Sequence, residues 1–244
     1  MIRFIEELSM NAWPSLQTTL YDGWVLRVSA GYTKRANSVN PLYKSKIDLD
    51  QKIDYCKNFY ERLRLPVVYK ITSDNNLTHL DNKLSELNYI KIDETSVRVL
   101  DLSLFDASDD PSTKVSNVFT EEWTDAFIRS SKICKDSTKF TLKSMLNNII
   151  GRTIWITHII NREAVGFGFG VIDNGYVGIF DILVDKSFRG NGYGKAIMNK
   201  ILLEAKKLGA NQAYLQVVVG NTVAENLYQN LGFEEIYRYW YRKL

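Results

Sequence analysis

Hydrophobic positions along this chain follow two periods, and the places where the period changes divide it into helices and strands. Residues 2–20 read as a helix broken at Pro14. Residues 21–29 read as a strand with Trp24, Leu26 and Val28 on one side, and Gly31 turns the chain into a second strand over 34–40 that ends at Pro41. Leu49, Ile53, Cys56, Tyr60 and Leu63 line one face of a helix predicted over 48–63, with Asp48 as its N-cap. A buried strand follows over 66–72. A helix capped by Ser73 or Asp74 then runs to Leu87, and a long strand covers 89–102. The polar stretch 106–116, with Pro111, reads as a linker. Beyond it come helices over 121–131 and 138–150 and strands over 153–160 and 164–172, the second with glycine at 166, 168 and 170. Asp173-Asn174-Gly175 is a hairpin signal. Then follow an apolar strand over 179–184, a helix over 192–208, a strand over 213–219, a helix from Asn221 and a closing strand within 233–244.

The same pattern occurs twice. Ser85-Glu86-Leu87-Asn88-Tyr89-Ile90-Lys91-Ile92 parallels Gln229-Asn230-Leu231-Gly232-Phe233-Glu234-Glu235-Ile236 at an offset of 144, which also places Arg98 on Arg242. Asn88 for Gly232 is a conservative exchange after a helix, because both accept the left-handed conformation. The expected organisation is therefore a tandem of related halves, residues 1–110 and 111–244.

Composition narrows the class. The chain has 244 residues, 45% of them hydrophobic, and a formal charge of +3 from 31 basic and 28 acidic side chains. That suits a sizeable core, and it is too little charge to argue for nucleic acid. No apolar run approaches the roughly 20 residues of a membrane span. Cys56, Cys134, His79 and His158 have no metal-ligand spacing, and Cys56 falls on an apolar helix face. Two unpaired cysteines and no leader-like N-terminus lead to the expectation of a cytoplasmic protein without a disulfide scaffold.

The chemistry is concentrated at Ile179 to Met198. A short apolar strand passes through Arg189-Gly190-Asn191-Gly192-Tyr193-Gly194-Lys195 into a helix. Strand, glycine loop and helix N-terminus together present backbone N–H groups to a phosphate. Ala196 after Lys195 argues against a Walker loop, and the G-x-G-x-G spacing and the lack of an acid after the next strand argue against a dinucleotide loop. For Arg189 and Lys195 the alternative is an ordinary surface charge.

Arg189 to Gly194 resembles the R/Q-x-x-G-x-G/A pyrophosphate loop of the GNAT acetyltransferase superfamily, and Asn221-Thr222-Val223-Ala224-Glu225-Asn226-Leu227-Tyr228-Gln229-Asn230-Leu231-Gly232-Phe233 resembles that superfamily's N-x-x-A-x-x-L-Y-x-x-L-G-F segment. The two stand in the family's order, and the likeness covers about residues 115–244. Lys186 stands where many members have proline. The resemblance implies an α/β fold with a GNAT-like mixed central sheet flanked by helices. It also makes residues 1–110, which have no glycine loop, a degenerate half beside a complete one.

The resemblance further implies transfer of an acetyl group from acetyl-CoA to an amine acceptor by direct attack in a ternary complex, without a metal. The cofactor-binding set it implies is Ile182, Leu183 and Val184 on the strand, Arg189, Gly190, Asn191, Gly192, Tyr193, Gly194 and Lys195 in the loop, and Asn221. Tyr228 is the candidate general acid, since a phenol keeps its proton at neutral pH and can give it to a thiolate. It also lies on a helical face with Ala224, Leu227 and Leu231, where it would be core. Asp181, the sole acid on the strand before the loop, is the candidate that takes or relays the amine proton, or merely caps a local backbone group. Asn221 is equally suited to be a helix N-cap. A non-catalytic acyl-CoA-binding module is the alternative reading. The identity of the amine, a small molecule or a peptide, stays open.

Overall fold

In a computed structural model that describes all of residues 1–244, helix α1 (Ile2–Ala12) ends two residues before Pro14, because proline bars the residue preceding it from helical backbone. The helix predicted to resume after Pro14 is instead strand β1 (Gln17–Tyr21), paired antiparallel with β2 (Trp24–Val28). Asp22-Gly23 makes this hairpin. Both residues have positive φ, 40° and 79°, as a tight turn between twisted strands requires. The strand predicted over 34–40 is mostly a 3-10 turn (Lys34–Ala36), and only β3 (Val39–Pro41) is extended.

The next four elements form as expected: α2 (Leu49–Arg62), β4 (Val68–Thr72), α3 (Thr78–Glu86) and β5 (Ile90–Asp101). Asp48 caps α2 by accepting from the amides of Asp50 and Gln51. The linker over 106–116 is shorter than predicted, because Thr113–Ser116 adds to the sheet edge as β6. The remaining elements are α4 (Glu121–Ser131), α5 (Asp136–Asn147), β7 (Arg152–Ile160), β8 (Glu163–Asp173), β9 (Tyr176–Val184), α6 (Tyr193–Lys207), β10 (Gln212–Val218), α7 (Thr222–Asn230) and β11 (Glu234–Lys243). No helix is long and apolar enough to cross a membrane.

All eleven strands join one mixed sheet in the order β1-β2-β3-β4-β11-β5-β10-β9-β8-β7-β6. Only β3–β4 and β9–β10 are parallel pairs. The helices and strands that start at 49, 68, 78 and 90 return at 193, 212, 222 and 234, each at an offset of 144. The final strands of the two repeats change places. β11 lies between β4 and β5, and β5 lies between β11 and β10. The two halves of the sequence therefore interleave at the centre of the sheet, and the boundary at residue 110 is not a boundary in space.

Helices α1, α4 and α5 cover one face through a core that includes Ile5, Trp13, Trp123, Phe127, Phe169 and Phe180. Helix α6 covers the other face over the second repeat, with Ile197, Met198 and Ile201 fully buried. The glycines of β8 explain how closely α6 packs. A Cβ at Gly166 would lie 2.7 Å from Ile197 Cδ1, and one at Gly170 would lie 3.0 Å from Ile201 Cγ2. The helix rests on strand backbone, where only glycine leaves room.

Candidate active site

Two departures from regular pairing open the sheet beside α6. The first is a bulge. Phe167 pairs with Leu183 and Phe169 with Phe180, so Gly168 faces both Asp181 and Ile182. The extra residue puts Asp181 at φ 50°, a conformation few non-glycine residues adopt in a strand. The second is a split. β9 and β10 pair only from Tyr176↔Gln212 to Ile179↔Leu215, while β10 stays paired with β5 as far as Val218↔Thr95. From Phe180 onward, the edge of β9 that faced β10 has no strand partner. Its backbone polar groups on that side are left for something else to satisfy.

A cleft of about 400 Å³ fills this split. Asp181, Ile182, Asn221 and Tyr228 line it together, four residues drawn from β9, the start of α7 and α7 itself. Leu183 and Val184 continue β9 toward the glycine loop and are half-buried. Tyr228 is 9% exposed. Burial alone pushes its phenol up to about 12, with no charge or hydrogen bond contributing, so it remains a proton donor throughout the neutral range. Asn221 is the N-cap of α7, its side-chain oxygen accepting from Ala224 N at 3.4 Å.

Beyond β9, Asp185 caps a 3-10 turn over Lys186–Phe188. Arg189 folds back to donate through Nε to Val184 O at 3.1 Å. Asn191 donates through Nδ2 to Phe188 O at 3.0 Å and to Arg189 O at 3.3 Å, which fixes the loop from inside. Gly190 and Gly192 take φ of 82° and 80°, and a Cβ at either would meet nothing within 4 Å. Conformation, rather than crowding by the protein, demands glycine there, and the space above both is open. Gly192 is the N-cap of α6 and brings no side chain to it. The first intrahelical bond is Ala196 N to Gly192 O, so the amides of Tyr193, Gly194 and Lys195 form the unpaired first turn. Uncapped amides, the positive end of the helix and adjacent basic side chains make an anion cradle. The Tyr193 ring is braced by His158, with centroids 4.4 Å apart. His158 is itself kept neutral by burial, partly offset by Asp110, and bonds Thr113 at 2.8 Å. Lys195 turns away from the cleft into a separate cavity of about 490 Å³ with Phe105, Asn199 and Asn230.

The first repeat supplies the opposite wall of the cleft, a contribution that sequence reasoning missed. Thr33, Lys34, Arg35, Asp93 and Thr95 face Asp181, joined by Tyr239 and Tyr241 of β11. Arg35 Nη2 lies 3.3 Å from Asp181 Oδ1, and Lys34 Nζ lies 2.6 Å from Asp93 Oδ2. Burial raises the Asp181 carboxyl above its ordinary range while Arg35 pulls it back. Tyr239 donates to Gln216 Oε1 at 3.1 Å, and burial holds the Tyr241 phenol well above its usual value. In sequence, Lys34-Arg35 looks like a solvated pair and lies 146 residues from Asp181, so no local signal marks it. The corresponding cavity of the first repeat, between the loops after β3 and β4, has no anion cradle, because the Asp48 carboxylate already occupies the first-turn amides of α2.

Residues 1–242 match the family model described as "Probable histone acetyltransferase Rv0428c C-terminal". The "Uncharacterized N-acetyltransferase YobR" of Bacillus subtilis is 29% identical over 248 residues, which covers 99% of this chain and 98% of that protein. Among solved structures, a GCN5-related N-acetyltransferase from Kribbella flavida superposes with a TM-score of 0.72 at 11% identity, over 99% of this chain and 94% of its own. A tandem GNAT protein from the clavulanic acid biosynthesis pathway superposes with a TM-score of 0.65 at 11% identity, over 98% and 87%. At these identities the two structures speak for the fold alone.

Proposed function

The chain belongs to the GNAT N-acetyltransferases, in the family of the Rv0428c C-terminal region, and from that membership we propose that it moves an acetyl group from acetyl-CoA to an amine by direct attack in a ternary complex. The observation that carries the reading is a conjunction. A bulged strand parts from its neighbour, an uncapped glycine-rich helix N-terminus stands at the end of that strand, and an unpartnered tyrosine faces the gap.

The loop fits the pyrophosphate of acetyl-CoA, since the space above Gly190 and Gly192 is open and the Tyr193–Lys195 amides are uncommitted. Arg189 and Lys195 add positive charge there. Ile182, Leu183, Val184 and Asn221 border the path from this loop to the cleft and suit the pantetheine arm. In the reaction, the neutral amine attacks the thioester carbonyl carbon, a C–N bond forms and the C–S bond breaks. The free backbone edge of β9 stabilises the developing oxyanion. Tyr228 gives its proton to the departing thiolate, and the proton lost by nitrogen goes to Asp181 or through water.

The same reading makes residues 1–110 a degenerate half and 111–244 the competent one. The offset of 144 between the elements and the Asp48 cap on α2 support it. In this arrangement the first half contributes no second cofactor site and instead walls the acceptor side. Cys56 is buried and Cys134 exposed, both as free thiols, which suits a cytoplasmic location.

Calorimetric titration with acetyl-CoA tests the cofactor assignment. The parent should bind, and Gly192→Asp, which brings a carboxylate and a strained φ to the cradle, should lose binding. Binding unaffected by that substitution would move the cofactor elsewhere. A module that binds without turnover would show the calorimetric signal and release no CoA with any amine.

A further inference from the structure

Acetyl transfer requires a thioester site, a proton donor and a route for the amine proton, and Arg35 is none of these. Its placement is nevertheless built. Arg27, itself 4% exposed, donates from Nη1 to Arg35 O at 2.7 Å and so fixes the backbone of the turn. The guanidinium lies 4.5 Å from the Trp13 ring centre and 6.0 Å from that of Phe180, stacked over the apolar core. Its side chain is 29% exposed, and that exposure opens on the cleft. A guanidinium has five N–H donors. Arg35 uses one, in the 3.3 Å contact with Asp181. The rest of the fork has no protein acceptor.

We propose that the acceptor is an α-amino acid, with Arg35 taking its carboxylate and Asp181 receiving its ammonium group. The inference rests on the acetyltransferase reading and narrows it to a substrate class. A free planar fork matches a carboxylate in two parallel hydrogen bonds, which a lysine cannot reproduce. The neighbouring charges have opposite sign and face one cavity, as do the two groups on a single amino-acid carbon. The second ion pair in the cleft, Lys34 with Asp93, adds one charge of each sign. Two cations and two anions favour a zwitterion. A polyamine would meet Lys34 and Arg35, and a peptide N-terminus has no carboxylate next to its amine. A cleft of about 400 Å³, shared with the thioester end of the donor, suits a small molecule. Once the amine is seated, its ammonium proton passes to Asp181 or water, the neutral nitrogen bonds the acetyl carbon as the C–S bond breaks, CoA leaves as the thiol with the proton from Tyr228, and the second proton lost by nitrogen restores the Tyr228 phenol through water.

The test is CoA release from acetyl-CoA with each of the standard amino acids, with the α-amide of each, and with short peptides. Acetyl-CoA affinity is measured by calorimetry on the same protein. The free acid of at least one amino acid should exceed its amide in kcat/KM by roughly 10- to 100-fold, the contribution of a charge-assisted pair. In Arg35→Met that preference should collapse through KM, with acetyl-CoA affinity unchanged. Arg35→Lys, which keeps the charge without the fork, should recover only part of it. Amides or peptides used as well as the acids overturn the proposal, as does a preference that survives Arg35→Met. So does acetyl-CoA binding without turnover of any amino acid. Failure of the parent to bind acetyl-CoA would instead overturn the reading of the site beneath it.

Discussion

Gly168 couples the packing of α6 to the shape of the site, and Gly168→Ala isolates that coupling. A Cβ at this position would lie 2.5 Å from Ile182 Cδ1, 3.0 Å from Ile197 Cγ2 and 3.4 Å from Ile201 Cδ1. Ile182 belongs to the bulge and can swing its terminal methyl away. Ile197 is fully buried on α6 and cannot do so without lifting the helix. Overpacking of this kind costs about 1–3 kcal/mol. Restricting the unfolded chain returns about 0.4–1 kcal/mol, so the net loss is on the order of 1–2 kcal/mol. For a chain of this size that lowers Tm by roughly 2–8 °C. Because Ile182 moves first, acetyl-CoA affinity should weaken as well. Gly194→Ala is the control. Its Cβ would meet only Leu227 Cδ2 at 3.5 Å in helical backbone, so Tm should hold or rise. Thermal unfolding and calorimetry on both variants decide the matter. A Gly168→Ala protein as stable as the parent would refute the argument that α6 rests on bare strand backbone.

Tyr228→Phe should lower kcat about 100-fold or more, as loss of a general acid does. Acetyl-CoA affinity and Tm should change little, because the hydroxyl bonds nothing in the protein and burial is the sole cause of its shift. Any alkaline loss of activity from Tyr228 should centre near pH 12 rather than at the ordinary phenol value near 10, and the acid limb should lie above the ordinary carboxylate range if Asp181 is the base, since burial raises that group. Glu6 is 1% exposed and holds Lys70 Nζ at 2.5 Å and Tyr237 OH at 2.6 Å. Glu6→Ala should therefore cost about 3–5 kcal/mol by denaturant unfolding, because Lys70 is left buried without its counter-charge. Asp22 accepts from Ser45, from the Ile47 and Lys46 amides and from Lys52, and these hold its carboxyl well below the usual range. A depressed carboxyl contributes stability above its unfolded value near 4 and loses it as pH falls toward the folded value. Asp22→Asn should flatten that acid-side decline in unfolding midpoints.

The residues that announce themselves in the sequence are those whose local conformation has few chemical solutions. Gly190 and Gly192 hold φ near 80°, which glycine adopts without strain, Asp48 and Asn221 cap helices, and Asp173-Asn174-Gly175 turns a hairpin. Each is decided within four or five residues, so each is legible without the fold. The repeat at 144 was legible too, because Asn88 and Gly232 both follow a helix in the left-handed conformation. Even a local signal can be overlooked: Asp22-Gly23 marks the first hairpin, yet the helical reading of the preceding residues hid β1.

What the sequence did not contain is anything decided by pairing across the sheet. Asp181, Ile182 and Leu183 read as part of a plain apolar strand. The bulge at Asp181 exists because Gly168, thirteen residues earlier, must face two residues at once for Phe167 and Phe169 to keep their partners. The exchange of β5 and β11 depends on which repeat each strand meets, and hydrophobic periodicity is the same either way. Arg35 reaches Asp181 across 146 residues of chain, and only that closure turns an ordinary surface arginine into part of a cleft. Local backbone chemistry made the glycine loop and the cap of α7 legible in the sequence. Long-range strand register, which no short window specifies, decided how the sheet opens and which residues of the first repeat line the cleft.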